Sequence, residues 1–344
     1  MATTTTPRTS PGPWATVRWL ARHRSVQVTA ALWLAGNAVV LLLAGRTLPF
    51  DWPALPGSAV DQLVGADVAM LSVLALMALT CLLTRRRVRP DVAARAPDVA
   101  TARRETVLLL AWAALGLLGG FVLGRLLGWH PIGLHLAGSV VGTHDHVAPA
   151  EAATWAGYNL VVYALVPLAV FRRRYSADQL NLVSTDRRGD VRLILVVLVA
   201  ESAIQIATLA TVVGRLSTHQ YLVGVPVTFL LYLAGTGLPI MVLVHALLVP
   251  RLLRLTGSTP ATVVLGGVLY TALHAWDAWT VLTTPTDAVL SVVFLCFVYL
   301  APGMMKTLLT VRTGNAWVHL WAYHALAPHT LIDSPHVVEI FRIR

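Results

Sequence analysis

Stretches of about twenty apolar residues recur along this chain, each long enough to cross the roughly 30 Å hydrocarbon layer of a bilayer. The run Leu231–Pro250, LYLAGTGLPIMVLVHALLVP, carries a single ionisable residue, His245. With no water in the hydrocarbon to satisfy backbone groups, only helices or closed barrels can span it. A barrel would show strands of about ten residues with alternating polarity, and the runs here are continuous. The predicted fold class is therefore all-α, a polytopic membrane helix bundle of about nine transmembrane helices.

Composition agrees. Hydrophobic residues make up 56% of the 344 and charged residues 12%, where a soluble domain averages about 25% charged. The net charge of +10 does not indicate nucleic acid. The arginines sit mainly in short connections between apolar runs, where they set orientation by the positive-inside rule. The expected partner is the lipid bilayer. Arginine outnumbers lysine 25 to 1, as a GC-rich bacterial genome would produce. The expected location is a bacterial cytoplasmic membrane, with the N-terminus on the cytoplasmic side. Cys81 and Cys296 both lie in apolar runs, which argues against a disulfide framework or a cysteine zinc site.

Residues 1–27 read as a disordered, basic N-terminus. Residues 28–104 hold a pair of spans, 28–45 and 67–84, and the basic connection RRRVRPDVAARAPDVATARR. Residues 105–332 form the core, and 333–344 a C-terminal tail. The core's expected spans are 106–128, 153–171, 191–213, 224–250, 260–279, 288–311 and 317–332. The segment WHPIGLHLAGSVVGTHDHVAPAE, with His130 and His135, reads as a polar outer loop, and its His144-Asp145-His146 as a solvated turn. No internal repeat and no row of polar residues along a path is legible, which disfavours a transporter.

Ionisable residues within apolar helices are costly and mark functional sites. Glu201 and Gln205 lie one turn apart and share a face, so Glu201 is either a site residue or a carboxyl bonded to Gln205. His245, His274 and His324 come from three separate predicted helices and can converge inside the bundle. An imidazole can bind a metal, act as a general base or donate a hydrogen bond. Three histidines with an open position would suit Zn²⁺ or Fe²⁺. Asp277, three residues and one turn beyond His274, can share its face. His319, His324 and His329 are spaced by five, a rotation of about 140° per step. One helix cannot present all three on one face, so at least one is expected to be structural or interfacial.

Order and spacing carry a resemblance. HALLVPRL (His245–Leu252), LGGVLYTALHAW (Leu265–Trp276), TGNAWVHLWAYHAL (Thr313–Leu326) and the basic lead-in FRRRYSADQLNL (Phe171–Leu182) occur in that landmark order. From about Glu105 to Ile332 the chain resembles the CPBP proteins, the CAAX-protease and bacteriocin-processing family of intramembrane proteases. The resemblance puts Tyr270 and His274 on the family's Phe-x-x-x-His motif and His324 on its last motif histidine. It departs at the Glu-Glu-x-x-x-Arg motif, where Ile240, Met241 and His245 stand, and at Pro328, where the family has Asn or Asp. An aliphatic pair cannot accept a proton, so the family's glutamate chemistry does not transfer.

Three functions follow as expectations. The first is a divergent membrane hydrolase, with His245, His274 and His324 as catalytic or metal-binding residues and Glu201 and Asp277 as supporting acids. Its substrate would be a membrane-embedded peptide or a prenylated or lipid-linked molecule. The second is a pseudoprotease that binds such a molecule without chemistry. The third is an isoprenoid- or lipid-transforming enzyme, in which Tyr270, Trp276, Trp279, Trp317, Trp321 and Tyr323 wall a pocket beside Asp277 and stabilise a cation.

Overall fold

Short polar residues at the ends of the apolar runs set where the helices start. Ser58 and Asp61 form a capping box, as do Ser217 and Gln220. Asp98 accepts from the amides of Ala100 and Thr101, and Thr284 from that of Asp287. Each satisfies amides that a helix start leaves unbonded. Gly128, Gly257 and Gly314 close three helices with φ of 69°, 58° and 61°, a left-handed conformation that glycine adopts without strain.

The computed structural model describes residues 13–50, 57–138, 145–214 and 216–344. Among these, every regular element is helical. In chain order they are α1 (Pro13–Arg22), α2 (Arg24–Leu43), α3 (Ala59–Leu83) and α4 (Val99–Leu127). Then come α5 (Pro149–Arg172), α6 (Arg187–Val213) and α7 (Thr218–Thr256). The last are α8 (Thr259–Ala272), α9 (Pro285–Thr313), α10 (Ala316–Tyr323) and α11 (Ile332–Ile340). The segment 1–12, expected to be disordered, and Asp51 and His144 lie outside the described residues.

Among the described residues, six helices are long and apolar enough to cross a membrane: α2, α3, α4, α5, α7 and α9. The count of nine is not reached. The expected fifth span is present as α6, of 27 residues, outside that set. The expected seventh stops at Ala272 after 14 residues, where turns with His274 N–H on Thr271 O and Asp277 N–H on His274 O redirect the chain. The expected ninth is split: α10 ends at Tyr323, and a wide π-helical turn at Leu326–Leu331 leads into α11. The expected tail is therefore largely helical, and Asp333, Val337 and Ile340 are buried.

The burial pattern separates core from periphery. In the most apolar window of α7, 61% of residues are buried, and in that of α9, 50%, against 17% in α2. Leu32, Leu34, Leu41 and Leu42 of α2 instead face outward, as lipid-facing residues do. The two ends of α7 identify opposite faces of the bundle. Ser258 Oγ beside its C-terminal end pairs with His23 Nε2 at 3.0 Å, and His219 near its start pairs with the carbonyl of Arg344 at 2.6 Å. His23 and Arg344 therefore lie at opposite ends of α7.

Two packing devices position the site. Along α8 and α9 small residues let the backbones approach: a Cβ on Gly303 would stand 2.5 Å from Tyr270 Cβ and 2.9 Å from Gly267 Cα. On the arginine-rich face, the buried Arg251 bonds Glu105 through Nε at 2.8 Å and Nη2 at 2.7 Å, and Tyr175 donates to the same carboxylate at 2.7 Å. That pairing locks α7 to α4. Nearby, Asn315 Nδ2 donates to Asp190 Oδ2 at 2.8 Å, and Arg87 Nη1 to Asp190 Oδ1 at 2.6 Å.

Candidate functional site

The stripe Tyr299, Lys306, Thr310 lies at i, i+7 and i+11 on α9, which is one helix face. It turns inward, and histidines from four other segments pack along it. His135 comes from the connection after α4, His274 from the turn after α8 and His245 from a π-helical stretch of α7, Met241–Leu248. His319 belongs to α10, His324 follows it directly, and His329 sits in the π-turn. π segments are rare and concentrate at functional sites. Here two of the four place a histidine in the core.

The rings form a continuous series. His245 and His319 have centroids 3.8 Å apart, His319 and His324 5.8 Å, His324 and His329 5.1 Å, and His329 and His135 5.2 Å. His135 then stands 5.0 Å from His274, which stacks on Tyr299 at 3.9 Å. His319, His324 and His274 are each 0% exposed.

Hydrogen bonding fixes several of the tautomers. His274 Nδ1 lies 2.6 Å from the carbonyl of Tyr270, and His319 Nδ1 2.6 Å from that of Ala316. A carbonyl only accepts, so in each ring Nδ1 carries the hydrogen and Nε2 keeps a lone pair. Tyr299 donates its hydroxyl hydrogen to Asp277 Oδ2. The same hydroxyl oxygen lies 3.0 Å from His135 Nδ1, so it accepts from that nitrogen and again leaves Nε2 as the base. Trp279 Nε1 adds a bond to Asp277 Oδ2 at 3.3 Å. Among the described residues, the Nε2 atoms of His135, His274 and His319 and both nitrogens of His324 are buried without a hydrogen-bond partner.

Lys306 is the chain's one lysine and is 2% exposed. Its Nζ lies 3.6 Å from the centroid of Tyr270. It makes no ion pair among the described residues. Glu201 on α6 is within electrostatic range of that amine and accepts from Gln205 Nε2 at 2.9 Å.

The five sequence-predicted site residues are all buried: His245, His274, His324, Glu201 and Asp277. They do not meet at a point. His245 touches His319, His274 touches Tyr270, Tyr299 and His135, and His324 lies between the two groups. Among the described residues no three His, Cys, Asp or Glu side chains form a group that could hold a metal ion. His245, His274 and His324 thus do not fit the Zn²⁺ or Fe²⁺ site expected of them. At least one of His319, His324 and His329 was expected to be structural or interfacial, on the geometry of an unbroken helix. The helix breaks after Tyr323, and all three are buried.

Asp277 reaches the site by a different route from the one its spacing implied. α8 ends before it, and the turn carries it to Tyr299 and His135 rather than along His274's face. Sequence reasoning missed His135, Tyr299 and Lys306. His135 was expected in a polar outer loop; the connection after α4 carries it inward, while His130 in the same connection bonds Glu151 at 2.8 Å. Lys306 had a readable signal: a lone lysine inside an apolar run, two turns from a tyrosine.

No family model, no curated protein and no solved structure matches the chain. The resemblance to the CPBP proteins rests on the quoted segments alone.

Proposed function

We propose that this chain is a multi-pass enzyme of the bacterial cytoplasmic membrane, with its N-terminus inside, that hydrolyses a membrane-embedded peptide or a prenylated or lipid-linked substrate at a metal-free histidine centre. The observation that carries this reading is the series Asp277–Tyr299–His135. An acid orients a hydroxyl, the hydroxyl orients an imidazole, and the imidazole keeps one buried lone pair unbonded. This is the logic of a base held in one tautomer by a third group. His135 Nε2 would take a proton from water as the water attacks a carbonyl carbon. The hydroxyl of Tyr299 and the carboxylate of Asp277 would then stabilise the imidazolium. His135 would then return that proton to the leaving nitrogen, oxygen or sulfur as its bond to the carbonyl carbon breaks, releasing the free acid.

The absence of the glutamate pair supports a second reading, a non-catalytic binding protein. Ile240 and Met241 are 1% and 2% exposed and belong to the apolar core.

Turnover decides between the readings. Detergent-purified protein is incubated with ester, thioester, peptide and prenylated-peptide reporters beside His135→Asn and Asp277→Asn. A general base contributes about 10²–10⁴-fold, so His135→Asn is expected to lower the rate at least a hundredfold. A folded parent that cleaves nothing in the panel, or a His135→Asn variant at the parental rate, overturns the enzymatic reading.

A further inference from the structure

The histidine series is longer than a hydrolytic centre needs, and it runs along the bundle. Tyr299 and Thr310 stand eleven residues apart on α9, roughly 16 Å of helix rise. Between those levels His135, His329, His324, His319 and His245 follow one another with ring centroids no more than 5.8 Å apart. One end opens on the face that carries the connection after α4, where the His135 side chain is 15% exposed. The other end meets the polar layer of the arginine-rich face. His245 Nδ1 lies 3.1 Å from Thr310 Oγ1, Thr313 Oγ1 bonds the amide of Asn315, and the Asn315 side chain donates to Asp190. Arg87 joins Asp190 to Asp186, whose side chain is 45% exposed.

We propose that this column is a proton path joining the two faces of the membrane. Chains of His, Asp and Glu inside a bundle are the usual material of proton relays. The column also explains the orphaned nitrogens. A buried imidazole without a partner is costly unless something fills the gap, and water bridging successive rings would bond each lone pair. Each transfer adds one H⁺ to the lone pair of a ring nitrogen and releases one to the next water; His319, whose Nδ1 stays bonded to the carbonyl of Ala316, takes up and releases the proton at Nε2, and no bond between heavy atoms changes. The driving force is the proton gradient, so no co-reactant is required. The titratable groups facing the column are Lys306 and Tyr299 from α9, Glu201 from α6, Tyr232 from α7, which stacks on His329 at 4.9 Å, Tyr270 from α8, Asp277 from the turn and Asp333 from α11. Lys306 sits between Tyr270 and Glu201, beside the middle of the column, where its charge state would set the barrier for a passing proton. The proposal stands on the packing of the rings and does not require the hydrolytic reading.

The test uses the full chain in sealed vesicles of neutral phospholipid containing a pH-sensitive dye. A potassium gradient and an ionophore set the potential. The parent is expected to pass protons well above protein-free vesicles. His324→Leu and His319→Ala, at two separate links, are each expected to lower the flux at least tenfold. His146→Ala, on an exposed residue outside the column, is expected to leave it unchanged. Elution of each variant at the parental volume shows that it is folded. A parent flux equal to empty vesicles, or column variants at the parental rate, overturns the path. Flux without hydrolysis in the reporter assay would remove the enzymatic reading alone, and hydrolysis without flux would remove the path alone.

Discussion

Tyr299 is the residue on which the two ends of the acid–base series depend. Its hydroxyl gives a hydrogen bond to Asp277 and takes one from His135. Tyr299→Phe keeps the ring that stacks on His274 and removes both bonds, leaving a fully buried carboxylate with fewer partners. The expected cost is about 1–3 kcal/mol, read as a lower midpoint in denaturant titration of the detergent-solubilised protein. A midpoint equal to the parent's would show that Asp277 does not depend on the hydroxyl. His324 tests the water that the proton path requires. Both of its nitrogens are buried without a hydrogen-bond partner among the described residues, so in a wet column they bond water. His324→Leu removes those bonds, and a loss of about 1–3 kcal/mol is expected. A neutral or stabilising replacement would mean that the ring is dry and that no water chain passes it. At this scale the sequence was legible where an ionisable residue stands out in an apolar run, as His245, Glu201 and His274 do. It was not legible for Tyr299 and His135, because a tyrosine in an apolar run is unremarkable in composition and their contact bridges 164 residues.

At the scale of elements, the approach of α8 to α9 brings Tyr270 against Lys306. Gly303→Leu would drive a side chain into Tyr270 and Gly267. Overpacking of this kind costs about 1–3 kcal/mol, and it would also part the two helices and reduce turnover or flux. Gly65→Leu is the control, since a Cβ there meets nothing within 4 Å. Equal stability of the two variants would contradict the close approach. The α4–α7 lock is tested by a double-mutant cycle. Arg251→Met alone leaves the Glu105 carboxylate buried without its cation, at about 3–5 kcal/mol, while Glu105→Gln with Arg251→Met is expected to cost clearly less. Additive losses would show that the pair does not interact. The helix starts expected at 67, 224 and 288 lie at Ala59, Thr218 and Pro285, because Ser58, Ser217 and Thr284 cap the helices before the apolar runs begin. The breaks after Ala272 and Tyr323 were not expected. Pro328 is a local signal for the second break, since it has no N–H for the carbonyl of His324; after Ala272 nothing local stops the helix, and the burial of His274 and Asp277 against partners far away in sequence turns the chain.

For the whole molecule, the apolar runs and the arginine-rich connections were enough to show an all-helical membrane bundle, because both signals act one segment at a time. The number of crossings was not legible, since a short helix enclosed by protein and a spanning helix can share a composition. Sidedness is the consequence that remains open to direct measurement. α5 separates His146, exposed on one face, from Asp186 on the arginine-rich face. Starting from a parent with Cys81→Ala and Cys296→Ala, His146→Cys and Asp186→Cys are labelled in intact cells with a maleimide that cannot cross membranes. Position 146 is expected to react from outside, and position 186 only after the membrane is opened. Reaction of both from outside would mean that α5 does not cross, and with it would go the separation of the two faces on which the proton path depends. Reaction of 186 alone would invert the protein, placing the arginine-rich face outward against the charge bias that normally holds such connections inside.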